Sequence, residues 1–200
     1  MKRKIAKIYY ILRNRGIITL FKHIIDYFKF HLYNKNLYIY LSFDLLNNNL
    51  FFPNKDNKLE FKIAELNDRD QIIYDIFPYL TFKEENDRML INLIGNDTVL
   101  FCIGKINNKI IHYFIVFLNA YESPLIRTPL DKNLYNKNDV YLASTFTAPE
   151  ARGMWVVPYS LAFIFNILKN TFKKNRCISL VHKSTPGAEI FYTKLGFQKF

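Results

Sequence analysis

Apolar and polar positions recur along the chain with different periods, and the period divides it into elements. In residues 1–35 apolar side chains return every three or four positions, at Ile5, Ile8, Tyr9 and Leu12 and then at Ile17, Leu20, Phe21, Ile24, Phe28 and Leu32. That spacing lays one greasy stripe along a helix and predicts two helices, over 2–14 and 17–33, broken at Gly16. Residues 37–45 (LYIYLSFDL) read as a strand, and 47–57, with Pro53 inside, as a polar loop. Alternation in 58–66 (KLEFKIAEL) predicts a second strand. Asn67 and Asp68 then open a helix that runs to about Ile76 and stops ahead of Pro78. A second helical stretch covers 82–94. Residues 97–106 and 110–119 form a hairpin turned at Asn107-Asn108. A loop over 121–139, containing Pro124 and Pro129, leads into a strand over 140–147.

That last strand opens the stretch around which the rest is organised, VYLASTFTAPEARGMWVVPYSL over 140–161. The strand breaks at Ala148-Pro149-Glu150, passes through Arg152-Gly153, and resumes as an apolar pattern of helical length. Strand, short turn and helix together outline an anion site. The first N–H groups of a helix have no intrahelical acceptor, and the helix dipole places partial positive charge beside them. Gly153 lets a phosphate approach the backbone closely. With a helix starting near Met154 or Trp155, Pro158 falls in or beside its first turn, where the N–H it lacks is unpaired anyway. Further on, 176–183 (RCISLVHK) reads as a buried strand and 185–197 as a short helix, which Thr185 can cap through its hydroxyl.

These two motifs resemble those of the GCN5-related N-acetyltransferases. Tyr192-Thr193-Lys194-Leu195-Gly196-Phe197 matches that superfamily's Tyr-x-Lys-Leu-Gly-Phe signature at every specified position, and Arg152-Gly153 matches the start of its pyrophosphate turn. The predicted order of strand, two helices, three strands, helix, strand and helix is similar to its layout. The resemblance implies an α/β fold with a mixed, mostly antiparallel sheet flanked by helices. The run from Arg152 to Leu161 also looks like a subgroup associated with envelope polysaccharide synthesis. At one position the chain departs from the pattern. Trp155 stands where the turn usually carries a second small residue, and its indole either crowds a pyrophosphate or packs sideways and leaves the N–H groups open.

The same resemblance implies a chemistry: direct transfer of an acyl group from acetyl-CoA, or another acyl-CoA, to an amine. The thioester carbonyl would meet backbone N–H groups near Phe146, Thr147 or Ala148. The pyrophosphate would lie against Arg152, Gly153, Met154, Trp155, Val156 and Val157. Thr185 stands where an asparagine often precedes the last helix. Tyr192 stands where a tyrosine often protonates the leaving sulfur; its plain alternative is a buried aromatic whose hydroxyl finds a partner. Glu150, just before the turn, and His182, near the end of the late strand, are the candidate general bases. Their plain alternatives are a solvated carboxylate and a hydrogen-bonded strand end, and His112, inside a strand, reads as structural. The acceptor is a small-molecule amine, in this subgroup an amino sugar or sugar nucleotide. A protein or peptide amine is the second reading. A third is a non-catalytic relative that binds a membrane or partner.

Composition narrows this picture. Two hundred residues, half of them hydrophobic and with 14 Tyr and 19 Phe, make one domain with a sizeable core and exclude a disordered chain. The net charge of +11 is uneven, since 1–35 holds nine Lys or Arg against the single acid Asp26. That divides the chain into a basic helical arm with an extra strand, 1–45, and an acyltransferase domain, 46–200. The arm's stripe either packs on the domain or lies on an anionic membrane surface with its basic flanks over the headgroups. Nucleic acid is disfavoured, because the arm's aromatic residues lie largely on the apolar stripe rather than among the charges, where bases could stack. Lys7 interrupts any signal-peptide core, and 17–32 is too short and too charged to span a bilayer. The expected location is therefore cytoplasmic, and peripheral at the inner membrane face if the stripe lies on a membrane. Cys102 and Cys177 lie in apolar runs and read as buried free thiols, and no Cys/His spacing points to a metal. Finally, 198–200 leaves room for only a stub of the superfamily's last strand, so either that strand is minimal or another part of the chain replaces it, the stretch 37–45 being the candidate.

Overall fold

The computed structural model describes residues 38–48, 50, 58–80, 90–120, 136 and 138–200. The predicted helices over 2–14 and 17–33, most of that over 82–94, and most of the loops over 47–57 and 121–139 lie outside the described residues. Seven strands form one sheet: β1 (Tyr38–Asp44), β2 (Leu59–Ile63), β3 (Val99–Ile106), β4 (Lys109–Phe117), β5 (Val140–Thr147), β6 (Arg176–His182) and β7 (Gln198–Lys199). Three helices accompany them among the described residues: α1 (Arg69–Ile76), α2 (Val156–Asn170) and α3 (Pro186–Lys194). The sheet order is β2-β3-β4-β5-β6-β1-β7, antiparallel throughout except for the parallel pair β5–β6. This is the mixed, mostly antiparallel α/β architecture that the sequence motifs imply.

Side chains that alternate along each strand feed two cores, one on each face. Leu100, Cys102, Phe114, Val116, Val140, Leu142 and Cys177 meet Leu161, Ile164, Phe165 and Leu168 of α2, together with Tyr192 and Phe197. Their neighbours Val99, Phe101, Ile103, Tyr113, Ile115, Phe117, Tyr141 and Ile178 meet Ile72 and Ile76 of α1 on the other face. Burial on both faces explains why β3 and β4 read as nearly unbroken apolar runs. Both cysteines are free and buried, and burial pushes their thiols well above the usual range. The β3–β4 hairpin turns at Asn107 (φ 49°) and Asn108 (φ 64°), the positive-φ pair that a tight hairpin requires.

β1 lies inside the sheet. It pairs with β6 over its whole length, from Tyr38↔His182 to Asp44↔Arg176, and the two-residue β7 pairs only with β1. The strand grouped by sequence with the basic arm is thus paired within the sheet, between β6 and β7. No helix among the described residues is long and apolar enough to cross a membrane.

Candidate active site

β5 and β6 begin side by side and then part. They pair at Val140↔Cys177, Tyr141↔Ile178 and Leu142↔Ser179 only, although β5 continues to Thr147 and β6 to His182. On its other side β5 stays with β4, but the register slips by one residue: Phe114 faces Thr145 whereas Val116 faces Leu142. The extra residue in β5 is a bulge, which bends and twists a strand, and it lies where pairing with β6 stops. At the closed end the Asp139 carboxylate accepts bonds from Arg176 Nε (3.0 Å) and Nη2 (2.6 Å). The result is a wedge between two strands, shut at Asp139–Arg176 and open toward Thr147.

Backbone groups point to alternate sides along a strand. The Ala148 N–H donates to the Ile111 carbonyl at 2.8 Å, so Phe146 also turns its N–H toward β4. Of the three expected thioester contacts, Phe146 and Ala148 are therefore spent within the sheet. Thr145 and Thr147 present their N–H groups to the open edge. Thr145 is not legible from sequence, because the bulge sets the phase of the alternation.

Past Thr147 the chain makes a single 3-10 turn, Pro149–Ala151, and coils into α2 through two left-handed residues, Gly153 (φ 85°) and Trp155 (φ 58°). A cleft of about 350 Å³ opens here, lined by Thr147, Ala151, Arg152, Gly153, Trp155, Val156, Val157, Pro158 and Phe191. Among the described residues, the N–H groups of Gly153, Trp155, Val156 and Val157 have no backbone acceptor, and no side chain caps α2. Met154 N–H is used, donating to Ala151 O at 3.3 Å. A Cβ built on Gly153 would meet nothing within 4 Å, so the indole two residues on leaves that space open. Unpaired N–H donors at a helix N-terminus, a glycine with open space above it and an adjacent guanidinium fit a diphosphate. The Arg152 Nε itself donates to the Thr147 carbonyl at 3.3 Å, which leans the side chain toward the end of β5. Pro158 is the third residue of α2, within the first turn as the pattern predicts.

Trp155 takes a conformation normally left to glycine, at a cost of about 1–2 kcal/mol for a side chain with a Cβ. Here the left-handed turn is kept and the indole is swung out, 54% exposed, on the lip of the cleft.

Tyr192 stands at the other end of the wedge. It is 8% exposed and packs edge-on to Phe197 (5.0 Å) and Phe191 (5.6 Å). Its hydroxyl bonds with Ser179, the last β6 residue paired with β5. Burial pushes the phenol up to about 12, so it keeps its proton at neutral pH. Its neighbour Phe191, not Tyr192, lines the cleft itself.

The two candidate bases are not brought to the cleft. Glu150 accepts from Lys109 Nζ at 2.8 Å and from the Tyr79 hydroxyl at 3.1 Å, and the bond from Lys109 holds its carboxyl below the usual range. Tyr79 and Lys109 line a separate cavity of about 490 Å³ beside α1. His182 Nδ1 lies 2.6 Å from Ser184 Oγ and the ring sits edge-on to Tyr38. Thr185 does not cap α3: its hydroxyl donates to the His182 carbonyl at 2.7 Å and closes the β6–α3 turn. His112 is fully buried, its Nδ1 2.9 Å from Thr147 Oγ1 and its Nε2 2.9 Å from Ser160 Oγ. Ser160 gives its own proton to the Val157 carbonyl at 2.9 Å, so it accepts from Nε2, and Nδ1 accepts from Thr147. The imidazole thereby ties β4, the end of β5 and the N-terminal part of α2 together. Burial lowers its pKa to about 3, which keeps it neutral. No three His, Cys, Asp or Glu side chains among the described residues are grouped so as to hold a metal ion.

No protein-family model and no curated protein matches the chain. Solved structures do match. A functionally unknown conserved protein from Staphylococcus epidermidis superposes with a TM-score of 0.54 at 7% identity, over 82% of this chain and 57% of its own. The GCN5-related glucosamine N-acetyltransferase region of a fungal multi-domain β-N-acetylglucosaminidase gives 0.59 at 18% identity, over 82% of this chain and 20% of that one. The structure of AAC(6')-Iy with the bisubstrate analogue CoA-S-monomethyl-acetylneamine gives 0.57 at 10% identity, over 70% of this chain and 90% of that one. The chain thus spans little more than half of the Staphylococcus protein and a fifth of the fungal enzyme.

Proposed function

We propose that this chain, which has the fold of the GCN5-related N-acetyltransferases, moves an acyl group from coenzyme A to an amine. The observation that carries the reading is the continuity of the site. Unpaired N–H groups and an open glycine at the start of α2 lie at the open end of a wedge whose apex is Leu142↔Ser179, with the buried, protonated Tyr192 phenol beside Ser179. Gly153, Trp155, Val156 and Val157 would hold the diphosphate through their N–H groups, with Arg152 adding charge. When bound, acetyl-CoA supplies an activated thioester. The N–H groups of Thr145 and Thr147 lie along the open edge of β5 and would take up negative charge developing on a carbonyl oxygen. Tyr192 Oη, beside Ser179, would donate a hydrogen bond to the leaving thiolate. With Glu150 and His182 turned elsewhere, the amine enters neutral and its proton leaves through water.

The glucosamine and acetylneamine in the names of the two transferase neighbours support an amine carried on a sugar. Residues 1–35, basic and amphipathic, would bring such an enzyme to an anionic inner membrane face, where amino sugars and sugar nucleotides enter envelope polysaccharide. Calorimetry with acetyl-CoA tests the donor site: micromolar binding that Arg152→Glu abolishes is expected, and no heat at millimolar ligand would overturn the reading. Thiol release from acetyl-CoA across a panel of amino sugars, aminoglycosides and peptides then assigns the acceptor class. Release with peptides alone would remove the sugar. Flotation with anionic liposomes, whole chain against a chain lacking 1–35, tests the arm, and equal flotation of both would remove the membrane role.

A further inference from the structure

Trp155 is strained at the backbone and unrewarded at the side chain. It adopts a left-handed conformation, φ 58° and ψ 18°, that glycine would supply without penalty. An outlier of this kind persists where surrounding structure or function requires it. Packing does not require it here, because the indole stands more than half in solvent while the core around α2 is filled by other residues. What the position confers is a place: the residue immediately before α2, on the lip of the cleft, beside the N–H groups that suit a diphosphate.

The direction of the cleft says what reaches that lip. The sulfur end of an acyl-CoA belongs at the apex of the wedge, near Ser179 and Tyr192, and the diphosphate belongs at Gly153. Leu142 and Thr147 are separated by about 16 Å of strand, so the arm between sulfur and diphosphate occupies the length of the wedge. The nucleoside beyond the diphosphate then emerges on the outer side of the turn, where the indole is exposed. We infer, on the strength of the acyl-CoA reading above, that Trp155 is a stacking platform for the adenine ring and a determinant of affinity for the nucleotide end of the donor. Base stacking on an aromatic side chain needs only a flat π-face and no particular hydrogen-bond pattern. An exposed indole offers that.

Trp155 is the chain's only tryptophan, so its emission reports the contact directly. The whole protein is titrated with coenzyme A, with adenosine 3',5'-bisphosphate, and with 4'-phosphopantetheine, which lacks the base. Quenching by the first two and not by the third is expected. Calorimetry is run in parallel on the wild type, Trp155→Gly and Trp155→Tyr. Glycine relieves the strained backbone, so that variant keeps its fold. It should bind coenzyme A about 5- to 150-fold more weakly, the equivalent of the stacking contribution of one base, and tyrosine should recover most of the loss. Coenzyme A that binds the wild type by calorimetry without changing the emission overturns the stacking role and leaves the donor site standing. So does a glycine variant that binds as tightly or more tightly, which would make the indole an obstruction. Absence of wild-type binding at millimolar coenzyme A defeats the donor reading itself, and the stacking role with it.

Discussion

The Asp139 carboxylate and the Arg176 guanidinium are joined by two hydrogen bonds, of 3.0 and 2.6 Å, one residue before β5 and β6 start to pair. Both charges sit at strand starts, and the strands they anchor share only three paired positions. The ion pair therefore carries much of what holds the closed end of the wedge. Asp139 is almost fully buried, and its removal would leave Arg176 half-buried with its main anionic partner gone. Asp139→Ala is expected to lower stability by about 3 kcal/mol, read as a fall in the urea midpoint. A loss below about 0.5 kcal/mol, the size of an exposed pair, would show that the strands are held by core packing alone.

His112 gives the domain an acid-sensitive joint. Its folded pKa, lowered by burial from 6.5 to about 3, lies below that of the unfolded chain, so between those values the unfolded state takes a proton that the folded state refuses. The stabilisation is complete above about pH 6.5 and is lost as pH falls toward 3, at about 1.4 kcal/mol per unit. At pH 5 the loss from this one group is about 2 kcal/mol. His112→Gln should flatten the acid limb of the stability–pH curve, whatever it does to stability at pH 7. An unchanged slope between pH 6.5 and 4.5 would mean that the imidazole becomes protonated without unfolding.

The hairpin, β5, β6, the Arg152-Gly153 turn and the place of Pro158 were legible because each is written locally: alternation, a pair of asparagines, a glycine before an apolar run. The wedge was not legible. It comes from one extra residue in β5 against β4, and a bulge has no marker in a run such as Ala143-Ser144-Thr145. The same phase decides that Thr145 and Thr147 face the opening while Phe146 and Ala148 do not. Glu150 and His182 read as bases from chain position alone. Partners far away in sequence settle where they point, Lys109 for the first and Tyr38 beside the second.

Two neighbouring turn residues make a matched pair of tests. Trp155→Gly replaces a strained left-handed residue by the one that accepts it, and should raise stability by about 1 kcal/mol. Gly153→Ala runs the other way: with φ at 85° the methyl group costs about 1 kcal/mol, and with nothing within 4 Å it clashes with no part of the chain. Chemical unfolding reads both changes. The alanine variant should remain folded yet lose affinity for coenzyme A, because the methyl group stands where the diphosphate approaches. Unimpaired binding by Gly153→Ala would place the diphosphate elsewhere.

Tyr192 is the residue at which a structural and a catalytic reading make the most different predictions. As a core residue it packs between Phe191 and Phe197 and bonds with Ser179, so Tyr192→Phe should cost about 1 kcal/mol for the lost bond. As a hydrogen-bond donor it stands where β5 and β6 part, with a pKa near 12 that keeps it protonated across the working range. A leaving thiolate is a weaker base than the phenolate, so Tyr192 would donate a hydrogen bond that strengthens as negative charge builds on sulfur, and would keep its own proton. The phenylalanine variant should therefore lose about 100-fold in kcat with acetyl-CoA, keep its KM for the donor, and regain activity with an acyl thioester whose thiol is more acidic. A variant that loses the stability and none of the kcat would leave Tyr192 a packed aromatic, and the leaving sulfur would then be solvated by water admitted through the open side of the wedge.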